Sequence, residues 1–466
     1  MPFAPRPVRE SEMSSSFFCL RLPKLLCAAI PIAACGGPSA GAYRDQLRAY
    51  DTAALEPAAD AGDNLFAGSA ELGLEDVVSA TLERSPTIRA AQKGWRAAIA
   101  RHPQAVSLDD PSVSYTFAPL SIGSSEVNYG QVVEISQPLP FPGKRRLRGQ
   151  VALAEADAAR HDAAAVKLRI AQMAAHLYYE LYATTRAIEI TSEFERELEA
   201  HREMLTAHLA AGHAWQDDAL KVEVDLGETT QRRIDLEAQR DIASAQLNEL
   251  LHRDPALPFP LLPESLPTPP PIEETVAQLT ELAASSRPEV RAASARVIGG
   301  AAGVASAKRE FYPDFRIVGR YSSMWPQLEH ELMAGLAMTI PLWRGRRHAA
   351  VAEAEATREQ AKSGVAEATL AVKSEVARAY RAHAAALDVL GKIENDIMPA
   401  ARDRAAAIRV GLDSGRTTFI EVLRADHDLL SATLRYQLAL ANAHTRRADL
   451  DIAVGRLNLA TRGERS

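Results

Sequence analysis

The sequence predicts a mainly α-helical chain with a small membrane-spanning β part, built twice from one helix–strand–strand–long helix–helix unit. Three observations predict it. A set of landmarks recurs at one spacing, two pairs of short segments alternate polar and apolar residues, and two helical stretches far exceed the length a globular domain uses.

The duplication decides the architecture. Ser85-Pro86 recurs as Arg287-Pro288, Asp110-Pro111-Ser112 as Tyr312-Pro313-Asp314, and Pro138-Leu139 as Pro341-Leu342. Gly143-Lys144-Arg145-Arg146 returns as Gly345-Arg346-Arg347, and Gly212, Asp218, Leu220 and Leu247 return as Gly415, Glu421, Leu423 and Leu450. The offset is 202 residues up to the second proline, 203 or 202 around the proline-leucine turn, where the first copy carries one extra residue, and 203 afterwards. Chance does not hold eight landmarks at one spacing, so the halves share a fold.

Taken in chain order, residues 1–34 read as a secretory signal. Arg21 and Lys24 precede an apolar run of about ten residues, too short to span a bilayer as a helix. Residues 1–12 precede an ordinary signal, which makes Met13 a candidate start. Ile32-Ala33-Ala34-Cys35 resembles the bacterial lipobox, in which the cysteine is acylated and becomes the N-terminus; a cleaved signal with an incidental cysteine is the alternative. Gly36 is not the aspartate that retains such lipoproteins at the inner membrane, so Cys35 points to the outer membrane. Residues 35–71, rich in Ala, Gly and Asp, read as a tether.

The first repeat spans 72–252. Leu74, Val77, Val78 and Leu82 give the helical period over 72–107. Strands follow at about 111–120, where Val113, Tyr115 and Phe117 alternate with Ser112, Ser114 and Thr116, and at about 128–139, where alternation is weaker. A proline-free helical pattern then runs from about 143 to 211. Near seventy residues at ~1.5 Å each is on the order of 100 Å. Residues 253–272 hold eight prolines and read as an extended linker. The second repeat, 273–460, repeats the order, with strands at about 313–323 and 331–341, a long helix over about 345–398 and, after Pro399, its continuation to about 413; residues 461–466 form a tail. Each strand has the length a tilted strand needs to cross a bilayer. Four strands cannot close a barrel, and an open edge is not tolerated in lipid, so several chains must share one; three would supply twelve strands.

Composition excludes several function classes. Net charge is −7, and becomes −9 without residues 1–34, which argues against nucleic acid as a partner. All three cysteines, Cys19, Cys27 and Cys35, lie near the N-terminus, leaving no disulfide framework for the body. No Walker A, GxSxG or HExxH motif is present, so no catalytic residues and no cofactor are expected. His201 and His208 lie two helical turns apart, Asp426-His427-Asp428 point in different directions, and Met333 and Met338 should face opposite sides of a strand near Met324 and His330. No metal site is expected.

The doubled, ordered motifs "YPDFRIVGRYS", "MTIPLWRGRR" and "GRTTFIEVLRADHDLL" resemble the TolC-type outer-membrane efflux family over roughly residues 72–460. "SQPLPFPGKRR" and "ELMAGLAMTIPLWRGRR" look most like its heavy-metal branch, the CzcC/CusC-like proteins. The resemblance implies a homotrimer with a 12-stranded β-barrel in the outer membrane continued by an α-helical tunnel. It implies a passive exit duct fed by an inner-membrane RND-type pump through a periplasmic adaptor, with heavy-metal cations as cargo; multidrug efflux is the alternative. A pore-less periplasmic adaptor is disfavoured, because the hairpin pattern occurs twice without lipoyl-like or β-barrel strand clusters. At the periplasmic tips the resemblance implies adaptor-contacting positions at Gly212, Leu220, Gly415 and Leu423, and an aperture lined by Asp218, Glu421 and Arg416. The alternative for the two acids is helix capping. Lys221 and Arg424 stand where some members carry a second acid, which weakens the expected cation selectivity.

Overall fold

The computed structural model describes residues 38–53, 65–66, 71–123, 125, 129–210, 216–324 and 331–457. The signal with Met13, Cys35, Gly212, His330 and the tail lie outside the described residues, as does the side chain of His208.

The chain opens with helix α1 (Pro38–Ala53), followed by α2 (Leu74–Arg84) and α3 (Pro86–Val106). Strands β1 (Ser112–Phe117) and β2 (Gln131–Leu139) lead into α4 (Lys144–Ala210) and α5 (Gln216–Leu250). The second half repeats this with α6 (Val276–Ser286), α7 (Pro288–Arg309), β3 (Asp314–Ser322), β4 (Leu332–Thr339), α8 (Arg344–Lys392), α9 (Met398–Asp413) and α10 (Phe419–Val454). The expected fold class, mostly helical with few strands, is the one observed.

Three differences from the sequence reading have local causes. Each first helix is split at its proline, because the proline ring disfavours helical backbone at the residue before it. Ser85 and Arg287 therefore become the N-caps of α3 and α7, each with proline in the first turn. Between α8 and α9 the helix does not stop at Pro399; a π-turn at Ile393–Ile397 precedes it, and the proline sits in the first turn of α9, where its missing N–H costs least. The segment read wholly as a tether includes α1, whose Tyr43, Leu47 and Tyr50 lie at helical spacing and pack around Trp95, Ile99 and Ala156.

Helix α4, with 67 residues, extends on the order of 100 Å at ~1.5 Å per residue and is the spine of the fold. It packs on α3, α5, α7 and α10, while α8 packs on α6, α7 and α10. Small side chains permit close approach. A Cβ on Gly300 of α7 would come within 3.1 Å of the Arg358 backbone in α8, so any larger residue there pushes the helices apart. The largest core cluster lies midway along α4, where Leu168, Ala171, Tyr178 and Tyr182 meet Leu72, Val77, Leu247 and Ile452. The linker closes over it, with Leu262 in the cluster and Leu261 accepting from the Leu72 amide at 2.8 Å.

Buried histidines give the fold a sensitivity to acid. His383 is 1% exposed, and His102 and His444 are also buried. Burial lowers the pKa of all three; Arg447 lowers that of His383 further, against the opposing pull of Asp451, and His383 lowers that of His444. His444 shares its Nε2 with the Pro267 carbonyl at 2.8 Å and stacks on Tyr179. A depressed folded-state pKa means the unfolded chain binds protons first, so the stability these groups allow is present above about pH 6.5 and lost as pH falls below it. Each contributes a slope of up to about 1.4 kcal/mol per pH unit. The expected result is a fall in melting temperature in detergent between pH 7.5 and 5.5, reduced in His383→Gln; a flat profile would refute it.

Candidate functional site

The four strands form one antiparallel sheet in the order β1-β2-β3-β4. Register, which sequence alternation alone does not supply, makes the sheet two-faced. Tyr115 faces Val133, Val133 faces Tyr321, and Tyr321 faces Leu332, so one apolar row crosses all four strands. The next rows hold Val113, Ile135, Gly319 and Ala334, then Gln137, Ile317 and Leu336, then Leu139, Phe315 and Met338. Gln137 is the polar member, and its amide donates to the Asp109 carbonyl at 2.7 Å and the Pro138 carbonyl at 3.1 Å. Leu336 is 71% exposed on this face.

The reverse face is polar. Its rows are Ser114, Glu134, Arg320 and Met333; then Ser112, Ser136, Val318 and Gly335; then Pro138, Arg316 and Ala337. Glu134 and Arg320 are direct cross-strand partners, whereas Arg316 has only Pro138 and Ala337 beside it. The expected separation of Met333 from Met338 holds, since they fall on opposite faces.

Aromatic residues bracket the apolar face. Tyr115 and Tyr321 mark one end, and Phe315, Phe141, Tyr312 and Trp343 mark the helix end. Phe141 stacks on Tyr312 at 4.7 Å, with the Arg309 guanidinium over both rings. The nine residues of β3 extend roughly 30 Å at ~3.3 Å per residue, or about 21 Å after a tilt of ~45°. That matches the outward apolar band and aromatic girdles of outer-membrane barrels.

Where strands become helices, Lys144 is the pivot. Gly143, at φ +97°, turns the chain so that Lys144, 1% exposed, reaches Glu310 at 3.0 Å and Asp314 at 2.9 Å. Asp314 also accepts from the Phe141 amide at 2.8 Å, and Arg145 donates to the Val106 carbonyl at 2.6 Å. The "GKRR" run is thus a junction clamp between β2 and β3. Sequence reading registered the motif but not its acidic partners, which lie in the other repeat.

At the far end of the helices the tip residues differ in kind. Gly415 adopts φ +68° as helix α9 ends, and the next amide, of Arg416, donates to the Gly411 carbonyl at 2.8 Å. Arg416 is exposed and donates from Nε to Ser414 Oγ at 3.0 Å. Glu421 accepts from the Thr418 amide at 2.8 Å and the Thr418 hydroxyl at 3.2 Å, and these bonds hold its carboxyl below the usual range. It therefore serves as a helix cap, the alternative noted for it. Asp218 is half-buried in the first turn of α5, and Lys221 pairs with Asp225 rather than with Asp218. Leu220 is exposed. Leu423 corrects an expectation: it is 4% exposed and packs with Val222, Leu430 and Phe419, so it is a core residue and offers nothing to a partner. The acids of Asp426-His427-Asp428 are engaged internally, Asp426 by Arg409 at 2.8 Å and Asp428 by Arg404.

A two-faced, four-stranded sheet set on helices of such length is the geometry against which similarity is informative. The profile of the outer membrane efflux protein family matches residues 77–252 and 279–456, once in each repeat. The chain belongs to this family. It is similar to Protein CyaE of Bordetella pertussis, with 28% identity over 429 residues, 84% of this chain and 85% of that protein. Among solved structures, the outer membrane protein VceC of Vibrio cholerae aligns with a TM-score of 0.68 at 20% identity, covering 82% of this chain and 96% of that one. A membrane protein from Pseudomonas aeruginosa aligns at 0.70 and 18% identity, covering 86% and 96%. At these identities the structures establish the fold. The protein is an outer-membrane efflux channel of this family.

Proposed function

We propose that three copies of the chain close one 12-stranded barrel through the outer membrane, continued by a helical tunnel, as a passive exit duct. The carrying observation is that β1 and β4 have free edges among the described residues while the sheet bears an apolar face that crosses all four strands, with Gln137 its polar member. An open edge cannot remain in lipid, and closure by further copies satisfies it. An exposed stripe on α5 (Leu220, Val224, Ile234 and Ile242) offers apolar surface for the same neighbours. Purified protein is expected at trimer mass in detergent and to conduct in planar bilayers; a monomer that is electrically silent would overturn the reading.

Transport then requires no bond-making. The driving force comes from an inner-membrane RND-type pump, joined through a periplasmic adaptor at the tips, where Leu220, Gly415 and Arg416 remain exposed. Heavy-metal cations are the cargo reading that the short motifs favour, and metal-sensitive growth of a deletion strain checks it; sensitivity to drugs alone would remove it. Asp218 and Glu421 line the aperture in this proposal. Because Glu421 is already committed to Thr418, most of any cation preference should reside in Asp218, so Asp218→Ala should shift the reversal potential more than Glu421→Ala. Equal, null shifts would exclude an aperture role.

Acylation of Cys35 is also proposed. Tyr43 stacks on His102 and Tyr50 packs on Trp95, so α1 runs antiparallel to α3, and its first residue, Pro38, lies toward the sheet. That position of Pro38 supports a lipid-anchored N-terminus. Loss of palmitate labelling in Cys35→Ser is the expected result.

A further inference from the structure

The duplication supplies a register for strands that no single chain brings together. Within the chain, β2 of the first repeat pairs with β3 of the second, with Gln137 opposite Ile317, Ile135 opposite Gly319 and Leu139 opposite Phe315. The equivalents of β2 lie in β4 and its extension, 203 residues later, and the equivalents of β3 lie in β1, 202 residues earlier. Applying both shifts sets Ile340 opposite Tyr115, Met338 opposite Phe117, and Leu342 opposite Val113. All six side chains are exposed in the single chain; Val113, Tyr115, Phe117 and Met338 share the parity of the apolar face within their strands, and Ile340 and Leu342 follow directly after β4. A shift of one residue would set apolar against polar positions along the whole edge.

The junction clamp has a counterpart as well. Lys144 corresponds to Arg346, which is exposed and has no ion-pair partner among the described residues, and the segment it would meet in a second copy is the start of β1. The acids used by Lys144, Glu310 and Asp314, correspond to Leu108 and Ser112, but Asp109 and Asp110 lie between them, both exposed and likewise without an ion-pair partner among the described residues. Trp343, 81% exposed, stands beside this corner as Phe141 does beside the internal one.

We propose that β4 of one copy pairs antiparallel with β1 of a second in the register Ile340–Tyr115, closed at the helix end by Arg346 of the first copy on Asp109 and Asp110 of the second. The inference rests on the trimeric reading and adds its register and its charge clamp. The clamp makes the contact head-to-tail, since donor and acceptor belong to different edges, and a ring follows when the rotation closes.

Cysteine pairs test it in the full chain, whose own cysteines all lie at or before Cys35. Directly opposed Cβ atoms at about 4.5–5.5 Å are near enough to bridge with small movement. Ile340→Cys with Tyr115→Cys should give covalent oligomers on oxidation, and Ile340→Cys with Phe117→Cys or Val113→Cys should not. Cross-linking only in a shifted pair would overturn the register while leaving the trimer intact, whereas monomer mass for the unmodified protein would remove the trimeric reading itself. For the clamp, Arg346→Glu should abolish the heat-resistant oligomer band, and adding Asp109→Arg with Asp110→Arg should restore it. An unchanged band in Arg346→Glu, or no rescue by the reversal, would overturn the clamp.

Discussion

Replacing Leu336 with arginine is expected to abolish assembly, whereas Ser114→Arg on the reverse face is expected to leave it nearly unchanged. Leu336 sits in the central rows of the apolar face, opposite Ile317. An arginine at the mid-plane of a barrel's lipid face costs about 2–4 kcal/mol. Three copies carry the cost three times, for roughly 6–12 kcal/mol per trimer, comparable with the whole stability of a domain. Ser114 instead stands opposite Glu134, where an added cation gains a cross-strand partner. Heat-resistant oligomer in outer-membrane extracts is the measurement. Equal tolerance of both substitutions would mean that the apolar face does not meet lipid.

Arg287→Ala is expected to destabilise each chain by about 2 kcal/mol, within the range for losing buried hydrogen bonds from a charged donor. The guanidinium is buried and joins three elements. It donates to Glu289 at 2.9 Å and Glu375 at 3.1 Å, and from Nη1 to the Ile452 carbonyl at 2.9 Å and the Ala453 carbonyl at 3.2 Å. Those carbonyls end α10, where a cation also meets the negative end of the helix dipole. Alanine would leave two buried helix-end carbonyls without their donor and two half-exposed carboxylates without their cation. Thermal unfolding in detergent reads the loss, and Arg287→Lys should recover only part of it, because lysine lacks the planar fork that serves both acids. A variant as stable as the parent would show the network to be incidental.

Both residues illustrate how far the sequence could be read. Arg287 was recognisable as a landmark, the counterpart of Ser85, yet its role was not, since its partners Glu375 and Ile452 lie far along the chain. The same holds for Lys144. Its motif was visible, but its acids belong to the other repeat. The alternating strands were legible because side chains in a strand take opposite faces by turns, and the long helices because their sequences lack internal proline. β2 alternates weakly because Gln137 sits on the apolar face, where its amide donates to the Asp109 carbonyl, and Val132 on the polar face opposite Thr116 and Ser322. Leu423 could not be separated from Leu220 by sequence, because they are equivalents in the repeat. In the folded chain α10 is overlaid by α4 and α5, which bury Leu423, while Leu220 stays on an outer surface.

By itself the sequence determined the duplication, the order of helices and strands, and the family, since periodicity, proline positions and repeat spacing are local or one-dimensional properties. Only the tertiary structure decided which residues share a face of the sheet, which acids hold Lys144 and Arg287, and which tip residues are buried. Register and pairing join residues hundreds of positions apart, and no local pattern fixes which of several equivalent partners packing will select.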